Sequence, residues 1–229
     1  LAANTSDQLV GTTGYAVVAQ SFAPRVVETL RIAMARLMST TNPGARGPAL
    51  KQPAFQNVAC DEDLVRVVKT LIGEAARPVR MLLFDKTAEA NWSVPWHQDL
   101  SIAVKAKAEM PGYSGWSVKD GVHHVQPPPR VMESMVTCRI HLDDADESNG
   151  ALRVVPGSHL LGRIRGADVT DVVGRLGDLD CSVKAGDCMM MKPLILHASR
   201  KSENPMHRRV IHIEFAAIEL PKPLEWCGI

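Results

Sequence analysis

Aromatic residues are scarce in this sequence, and its charges almost cancel. Only 4% of the 229 residues are aromatic, and 26 Lys and Arg against 25 Asp and Glu leave a formal net charge of +1. Proteins that bind nucleic acid or an anionic membrane surface usually carry a basic patch, often with interleaved aromatic residues. The sequence has neither, so we predict no nucleic-acid partner and no membrane partner.

Long apolar runs and paired cysteines are missing as well. No run approaches the roughly 20 apolar residues of a transmembrane helix, and residues 1–4 show no basic segment followed by an apolar one. The five cysteines are odd in number and lack CxxC spacing, which argues against a disulfide framework and against a zinc site made of cysteines. We therefore predict reduced cysteines and a cytoplasmic protein.

Short segments of strand character follow one another after residue 79. With turn residues between them, they favour an antiparallel sandwich or jelly roll over alternating βα units. The predicted strands are 79–84, 93–100, 132–142, 151–155, 179–183, 188–192, 195–199 and 209–217.

The residues before these strands predict mainly helical structure. One amphipathic helix is expected from Pro24 to about Ser39 and another, capped by Asp61, to about Ala76. The remaining predicted features are a strand at 14–18, a loop over 40–48 and an outer helix at 168–176. The fold class is therefore mainly β with flanking helices (α+β).

The length of the chain suits one domain, residues 1–229, with one sizeable core. We expect helical support over about 1–78 and a β core over about 79–217. Segment 101–130 stands apart, because it begins with helical character, breaks at a Pro-Gly pair and ends in three prolines. Such a long segment beside candidate ligands predicts an active-site lid, with an inert surface insertion as the alternative.

A His-x-Asp triplet at His97 and Asp99, with a distant His197, is the most informative pattern. Residues i and i+2 of a strand point to the same side, so the first two can converge on one ion. Two imidazoles and one carboxylate form the facial triad that holds Fe(II) and leaves positions open for a co-substrate and O2. Taken alone, the triplet is a weak signal, and an isolated His197 is more often a buried core histidine.

A second triplet, His141-Leu142-Asp143, competes with the first. It ends an apolar strand and is followed by turn residues, so we interpret Asp143 and the next residue, Asp144, as strand-end and turn residues. His141 is a candidate for the cavity lining, because it shares a strand face with Arg139 and Thr137. His212, on the last strand, is a candidate to support the metal ligands from behind.

Arg208 lies eleven residues beyond His197 and supplies a second chemical signal. The planar fork of a guanidinium group suits a carboxylate bound through two hydrogen bonds, such as the distal end of 2-oxoglutarate. Arg209 follows directly. Because strand alternation sends the two side chains to opposite faces, an error of one residue in the assignment would exchange them.

These residues belong to an ordered set of motifs that resembles the phytanoyl-CoA dioxygenase family, over roughly Met81 to Phe215. The motifs are Trp96-His97-Gln98-Asp99-Leu100, Leu142-Asp143-Asp144, Asn149-Gly150-Ala151-Leu152, Pro156-Gly157-Ser158-His159, Gly186-Asp187, and His197-Ala198-Ser199 followed by Arg208. The resemblance implies a double-stranded β-helix, a cupin-like jelly roll, and an enzyme that uses Fe(II), 2-oxoglutarate and O2. It also selects the first His-x-Asp triplet over the second.

The resemblance further implies a role for individual residues. It makes His97, Asp99 and His197 the metal ligands, Arg208 the 2-oxoglutarate anchor, and Ser199 a neighbour of the co-substrate carboxylate. No catalytic residue beyond the metal site is predicted. The other candidates are Thr137 for the co-substrate and Arg139, Gln126, His123 and Trp116 for the substrate.

The expected reaction is hydroxylation of an unactivated C–H bond in a small metabolite, with release of succinate and CO2. A carboxylate at Asp99 favours hydroxylation, since related halogenases have a small residue there. We favour a free amino acid or related carboxylate, because no basic cluster suits the phosphates of CoA and a buried Arg139 needs an anionic partner. The alternative for Arg139 is a structural pair with Asp99 or Asp143.

Three other functions remain open at this stage. One is an acyl-CoA hydroxylase with the same mechanism, and another is a cupin-like enzyme that uses a divalent metal without 2-oxoglutarate. A binding module without enzymatic activity would require the loss of a metal ligand, whereas all three candidate ligands are present. The oligomeric state is not indicated.

Overall fold

The computed structural model describes residues 8–38, 44–46, 51–203 and 206–228. The start of the chain, on which the predicted lack of a secretory signal depends, lies outside these ranges, as does most of the predicted loop over 40–48. Within the described ranges, no helix has the length and apolar character that crossing a bilayer requires.

The helices lie close to where amphipathic spacing and capping residues place them. Asp61 caps α3 by accepting a hydrogen bond from the backbone N–H of Leu64 at 3.0 Å, which supports the predicted start of that helix. The α-helices are α1 (Pro24–Leu37), α2 (Pro53–Ala59), α3 (Glu62–Ile72), α4 (Pro129–Glu133) and α5 (Val169–Leu176). Residues 8–12 are also helical, and short 3-10 turns occur at Glu147–Asn149, Ser158–Leu161 and Gly166–Asp168.

The strands form three antiparallel sheets. The major sheet has the order β1-β11-β8-β13-β3-β2, the minor sheet β10-β9-β12-β4, and a third sheet β5-β7-β6. Their bounds are β1 Tyr15–Val18, β2 Gly44–Arg46, β3 Arg77–Lys86, β4 Val94–His97, β5 Ile102–Val104, β6 Ser114–Lys119, β7 Val122–Gln126, β8 Met135–His141, β9 Leu152–Val154, β10 Leu179–Cys181, β11 Cys188–Met191, β12 His197–Ser199 and β13 Arg208–Ala216.

The two faces of the major sheet have different neighbours. On the outer face, alternate β13 residues such as Ile211, Ile213 and Phe215 pack with α1, α2 and α3 in the largest hydrophobic cluster. On the inner face, Met189 and Met191 of β11 pack against apolar residues of the minor sheet. The sheets therefore face each other with helices outside, and the predicted mainly β fold with flanking helices is confirmed.

Segment 101–130 differs from its predicted form. Its beginning is strand β5, and most of the rest is the β6–β7 hairpin, so the expected initial helix is wrong. The side chains of Ile102, Val104 and Val125 are buried against the C-terminal segment around Leu224 and Trp226. The inserted sheet therefore packs in a second hydrophobic cluster, which also includes residues at the ends of β3, β8 and β13. Its role as a lid stays a prediction.

Candidate metal centre

The two histidines of the candidate triad are direct partners across a pair of strands. His97 is the last residue of β4, His197 is the first residue of β12, and the register pairs them. Their ring centroids are 4.1 Å apart with an interplanar angle of 53°. Asp99 follows just beyond β4, where its backbone N–H donates to the carbonyl of Pro193 at 2.9 Å. The minor sheet thus positions all three side chains.

The potential ligand atoms converge on one point. His97 Nε2 lies 3.9 Å from Asp99 Oδ1, and His197 Nε2 lies 3.7 Å from Asp99 Oδ2. One atom from each residue falls within 4.8 Å of the other two, as a bound ion requires. Asp99 Oδ2 is buried and, among the described residues, has no hydrogen-bond partner. A divalent cation would supply the partner that this carboxylate lacks.

Backbone carbonyls orient both histidines. The Nδ1 atom of His97 lies 2.9 Å from the carbonyl of Pro95, and that of His197 lies 2.9 Å from the carbonyl of Ile195. A ring nitrogen facing a carbonyl must donate, so the proton sits on Nδ1 and leaves the Nε2 lone pair free. Both lone pairs are on the nitrogens that face Asp99.

Electrostatics favours the protonation states that a metal needs. Burial lowers the pKa of His197 to about 4, so its imidazole is neutral near pH 7. Burial raises the pKa of the Asp99 carboxyl. The charges of His197, His212 and His97 lower that pKa by more than burial raises it, so the net shift is downward. The donor set of two imidazoles and one carboxylate fits a facial triad for Fe(II).

A cavity of about 200 Å³ opens beside the triad and contains buried cations. Arg208 and Arg139 line it, and Lys86 reaches its wall by donating to Ser199 Oγ at 3.1 Å and to the carbonyl of Arg200 at 2.7 Å. Arg208 is 4% exposed, and neither its Nε nor its Nη1 has a hydrogen-bond partner within the described ranges.

The surroundings of these cations disfavour positive charge. Burial, followed by the charges of Arg208 and Arg139, lowers the pKa of Lys86 to about 7. Burial, followed by Arg139, lowers the pKa of Arg208 to about 10. None of the three cations forms an ion pair with a carboxylate of the described residues. An anionic ligand would relieve this imbalance.

The structure places Arg208 and Arg209 on opposite sides of β13. Arg208 points into the cavity, whereas Arg209 is held on the outer side by Asp143 through two hydrogen bonds of 2.8 Å. Asp143 also pairs with Arg31, and Asp144 accepts from Lys184. The second triplet thus contributes its carboxylate to structural ion pairs.

Further polar groups follow along the inner face of the major sheet. Arg139 Nη1 lies 3.0 Å from His212 Nδ1, and both residues line the cavity. Within the described part of the chain, Arg139 pairs with neither Asp99 nor Asp143, which were its predicted structural alternatives. Two residues beyond His212, Glu214 binds Arg80 at 2.9 Å.

Several predicted site residues do not reach this cavity. Its described lining includes neither Thr137, on the neighbouring strand β8, nor Gln126, His123 and Trp116, on the inserted hairpin. The indole of Trp116 packs against the cluster beneath the inserted sheet, and its Nε1 is buried without a hydrogen-bond partner among the described residues. Their roles in binding co-substrate or substrate stay predictions.

The sequence interpretation did not select Lys86, Glu214 or His124 as site residues. Strand alternation supplies a signal for two of them. Glu214 lies on the same β13 face as Arg208 and His212, and Lys86 pairs with Arg208 across β3 and β13. His124 is on β7, a strand that the sequence interpretation did not predict.

A comparison with known protein families identifies one family for this chain. The family described as Phytanoyl-CoA dioxygenase (PhyH) has a sequence model that matches residues 11–210. No individual curated protein matches the chain.

Solved structures resemble the whole chain. AviO1 from Streptomyces viridochromogenes Tue57 matches with a TM-score of 0.69 and 22% identity, over 95% of this chain and 96% of that one. EctD from S. alaskensis in its apoform gives 0.75 and 18%, over 96% and 79%. HygX from Streptomyces hygroscopicus, with nickel and 2-oxoglutarate bound, gives 0.67 and 18%, over 93% and 86%. These likenesses confirm the predicted jelly-roll fold.

Proposed function

Because the chain belongs to the phytanoyl-CoA dioxygenase family of Fe(II)- and 2-oxoglutarate-dependent oxygenases, we propose that it hydroxylates a small free amino acid or related carboxylate. When bound, iron and 2-oxoglutarate supply the oxidation: O2 is reduced, the co-substrate becomes succinate and CO2, and one oxygen atom enters a C–H bond. The observation that carries the proposal is a convergent His-Asp-His set in the same cavity as buried Arg208, whose Nε and Nη1 have no hydrogen-bond partner among the described residues.

The residues of this chain divide the work of binding. His97, Asp99 and His197 would hold the iron, and backbone carbonyls fix both imidazoles. Arg208 would bind the distal carboxylate of 2-oxoglutarate with its guanidinium group, whose Nε and Nη1 have no hydrogen-bond partner among the described residues. Ser199, held by Lys86, lies on the same wall of the cavity.

Arg139 is the proposed contact for a carboxylate of the substrate. Its guanidinium lines the cavity with the metal ligands, and its Nε has no hydrogen-bond partner within the described ranges. A cavity of about 200 Å³ suits a small metabolite better than the large head group of an acyl-CoA ester. Apolar walls of Phe84, Trp92 and Leu152 limit the access of water to the metal ligands.

Anaerobic visible spectroscopy tests the proposed cofactors. The apoprotein is titrated with Fe(II) and then with 2-oxoglutarate, and we expect a weak charge-transfer band only when both are present. Confirmed metal binding without this band would favour the cupin-like alternative that does not use 2-oxoglutarate.

Variants at two histidines test the ligand assignment. His197→Ala should abolish both the band and the formation of succinate while the far-ultraviolet circular dichroism stays unchanged. His207→Ala is the matched control, because His207 is largely exposed and pairs with Asp85 away from the triad. Succinate formation that survives in His197→Ala would refute the assignment.

A further inference from the structure

A second polar cluster lies at the Glu214 end of β13, next to His212 but beyond the described lining of the cavity. Glu214 is 4% exposed, and its Oε1 accepts a hydrogen bond from Arg80 Nη1 at 2.9 Å. Its other oxygen, Oε2, is buried and has no hydrogen-bond partner among the described residues. A buried carboxylate oxygen without a hydrogen bond costs free energy, so a ligand that donates a hydrogen bond to Oε2 would be stabilised here.

The neighbouring His212 does not supply that donor to Oε2. Arginine can only donate, so the 3.0 Å contact from Arg139 Nη1 makes His212 Nδ1 an acceptor and places the ring proton on Nε2. That Nε2 lies 3.5 Å from Glu214 Oε1, the oxygen that Arg80 already binds. Both neighbours of Glu214 thus face the same oxygen.

A second unsatisfied acceptor comes from the inserted sheet. His124 is 1% exposed, and its Nδ1 lies 2.9 Å from the carbonyl of Val122 and therefore donates to it. Its Nε2 is buried and lacks a partner in the described part of the chain. Burial lowers the pKa of His124, and the charges of Arg80 and Glu214 also act on it, so a neutral ring lies near this ion pair.

We propose that Glu214 and His124 bind the ammonium group of the substrate while Arg139 binds its carboxylate, so that the substrate is a free amino acid. This inference rests on the proposed function and narrows its substrate class. Two neighbouring acceptors need a group with at least two donors. An ammonium group has three, whereas a hydroxyl group has only one.

The spacing of the two charged contacts fits one small molecule. Arg139 pairs with His212 across β8 and β13, and Glu214 follows two residues later on the same face, about 7 Å along the strand. His212 contacts both Arg139 and Glu214, and it lines the same cavity as the three metal ligands. An amino acid that bridges Arg139 and Glu214 would therefore lie along the inner face of β13, on the side of the cavity that Arg139 and His212 line.

Matched substrate analogues test the inference on the protein loaded with Fe(II) and 2-oxoglutarate. The nineteen proteinogenic L-amino acids other than proline are each compared with the 2-hydroxy acid that has the same side chain, through the shift of the charge-transfer band and through succinate formation. We expect at least one amino acid to act with a KM at least roughly ten-fold below that of its hydroxy analogue, as the loss of a charged hydrogen-bonding group implies.

Two variants assign that discrimination to the cluster. Glu214→Gln should remove most of the preference for the amino acid and raise its KM by roughly ten-fold, while the KM for 2-oxoglutarate stays within about two-fold. His124→Phe should act in the same direction, and it leaves the Arg80–Glu214 pair intact if Glu214→Gln folds poorly. Asp143→Asn, which breaks an ion pair on the outer side of β13, should keep the preference.

The outcomes separate this inference from the proposed function. A normal band and turnover with equal response to amino and hydroxy acids, or with no response to any amino acid, would overturn the ammonium site alone. An unchanged preference in both Glu214→Gln and His124→Phe would do the same. Absence of the band in the unmodified protein would overturn the proposed function, and this inference with it.

Discussion

The two ends of the inner face of β13 differ in how their buried charges are balanced. At the Arg208 end, Lys86 and Arg208 are neighbours across two strands, and no carboxylate of the described residues pairs with either. At the Glu214 end, Arg80 and Glu214 form a buried ion pair that leaves one oxygen open. The first end lacks an anion, whereas the second lacks only a hydrogen-bond donor.

This difference indicates which end can be stable without a ligand. A buried ion pair balances its own charge, so the Glu214 end should keep its geometry in the empty protein. Adjacent buried cations repel each other until an anion arrives, so the Arg208 end should be destabilising when empty and gain most on binding. Removing one cation from each end should therefore have opposite effects on stability.

The largest expected effect is at the balanced end. Arg80→Met leaves the carboxylate of Glu214 buried and unpaired, so the free energy of unfolding should fall by about 3–5 kcal/mol. Urea denaturation of the ligand-free protein measures this change. Arg77→Met removes the exposed pair with Glu219 from the same strand and should cost less than about 1 kcal/mol. Equal losses of unfolding free energy in Arg80→Met and Arg77→Met would show that the Arg80–Glu214 pair is no more important for stability than an exposed pair.

The next effect concerns binding at the cationic end. Arg208→Ala should raise the KM for 2-oxoglutarate roughly 100-fold, because a buried bidentate contact to a carboxylate is lost. Arg209→Ala removes a guanidinium group on the opposite side, where Asp143 holds it, and should leave that KM nearly unchanged. Initial rates of succinate formation over a range of 2-oxoglutarate concentrations distinguish the two. A raised KM in Arg209→Ala and an unchanged KM in Arg208→Ala would make Arg209 the residue that binds 2-oxoglutarate.

A smaller effect with a distinctive pH dependence is expected at Lys86. Its pKa is about 7 in the folded protein and 10.5 as the ordinary value, so between these pH values the unfolded chain binds more protons. Stability should therefore rise with pH in this window, by up to about 1.4 kcal/mol per pH unit from this group.

The variant Lys86→Met isolates that contribution. It should be more stable than the unmodified protein near pH 6 and should lose the rise between about pH 7 and 10 that this group causes. Thermal or urea unfolding at several pH values checks both points. A lower stability of Lys86→Met at pH 6 would mean that the cation is not destabilising in the empty protein.

The smallest effect is expected at Ser199, whose hydroxyl accepts a hydrogen bond from Lys86 at the cationic end. Ser199→Ala removes one neutral hydrogen-bonding group from the cavity wall, so the KM for 2-oxoglutarate should rise only about three- to ten-fold. The iron affinity should not change, because the neighbouring His197 takes its orientation from the carbonyl of Ile195. A loss of iron would show that Ser199 supports the metal ligand instead.

The sequence was most informative where strand alternation alone decides the geometry. Spacing i, i+2 indicated that His97 and Asp99 could converge on one ion, although Asp99 lies just beyond β4, and alternation alone required Arg208 and Arg209 to diverge. The pairing of His197 with His97 depends on tertiary folding, which a single sequence does not give. The family resemblance therefore carried the choice of the third ligand.

The inserted sheet was the part that pattern analysis predicted least well. A short apolar run such as 102–104 does not distinguish a strand from a buried helix by periodicity. A better signal was present at Asp120-Gly121, where both residues have positive φ, 50° and 77°, and join β6 to β7. Such a pair is a strong hairpin signal, and it would have located His124 on a strand.

The direct pairing of His97 with His197 also makes metal binding a measure of correct folding. A slip of β12 against β4 by one residue would turn every β12 side chain to the other face and separate the two imidazoles. Slipped molecules could still have normal secondary structure by circular dichroism. Titration with metal therefore counts the molecules in a preparation whose minor sheet has the right register.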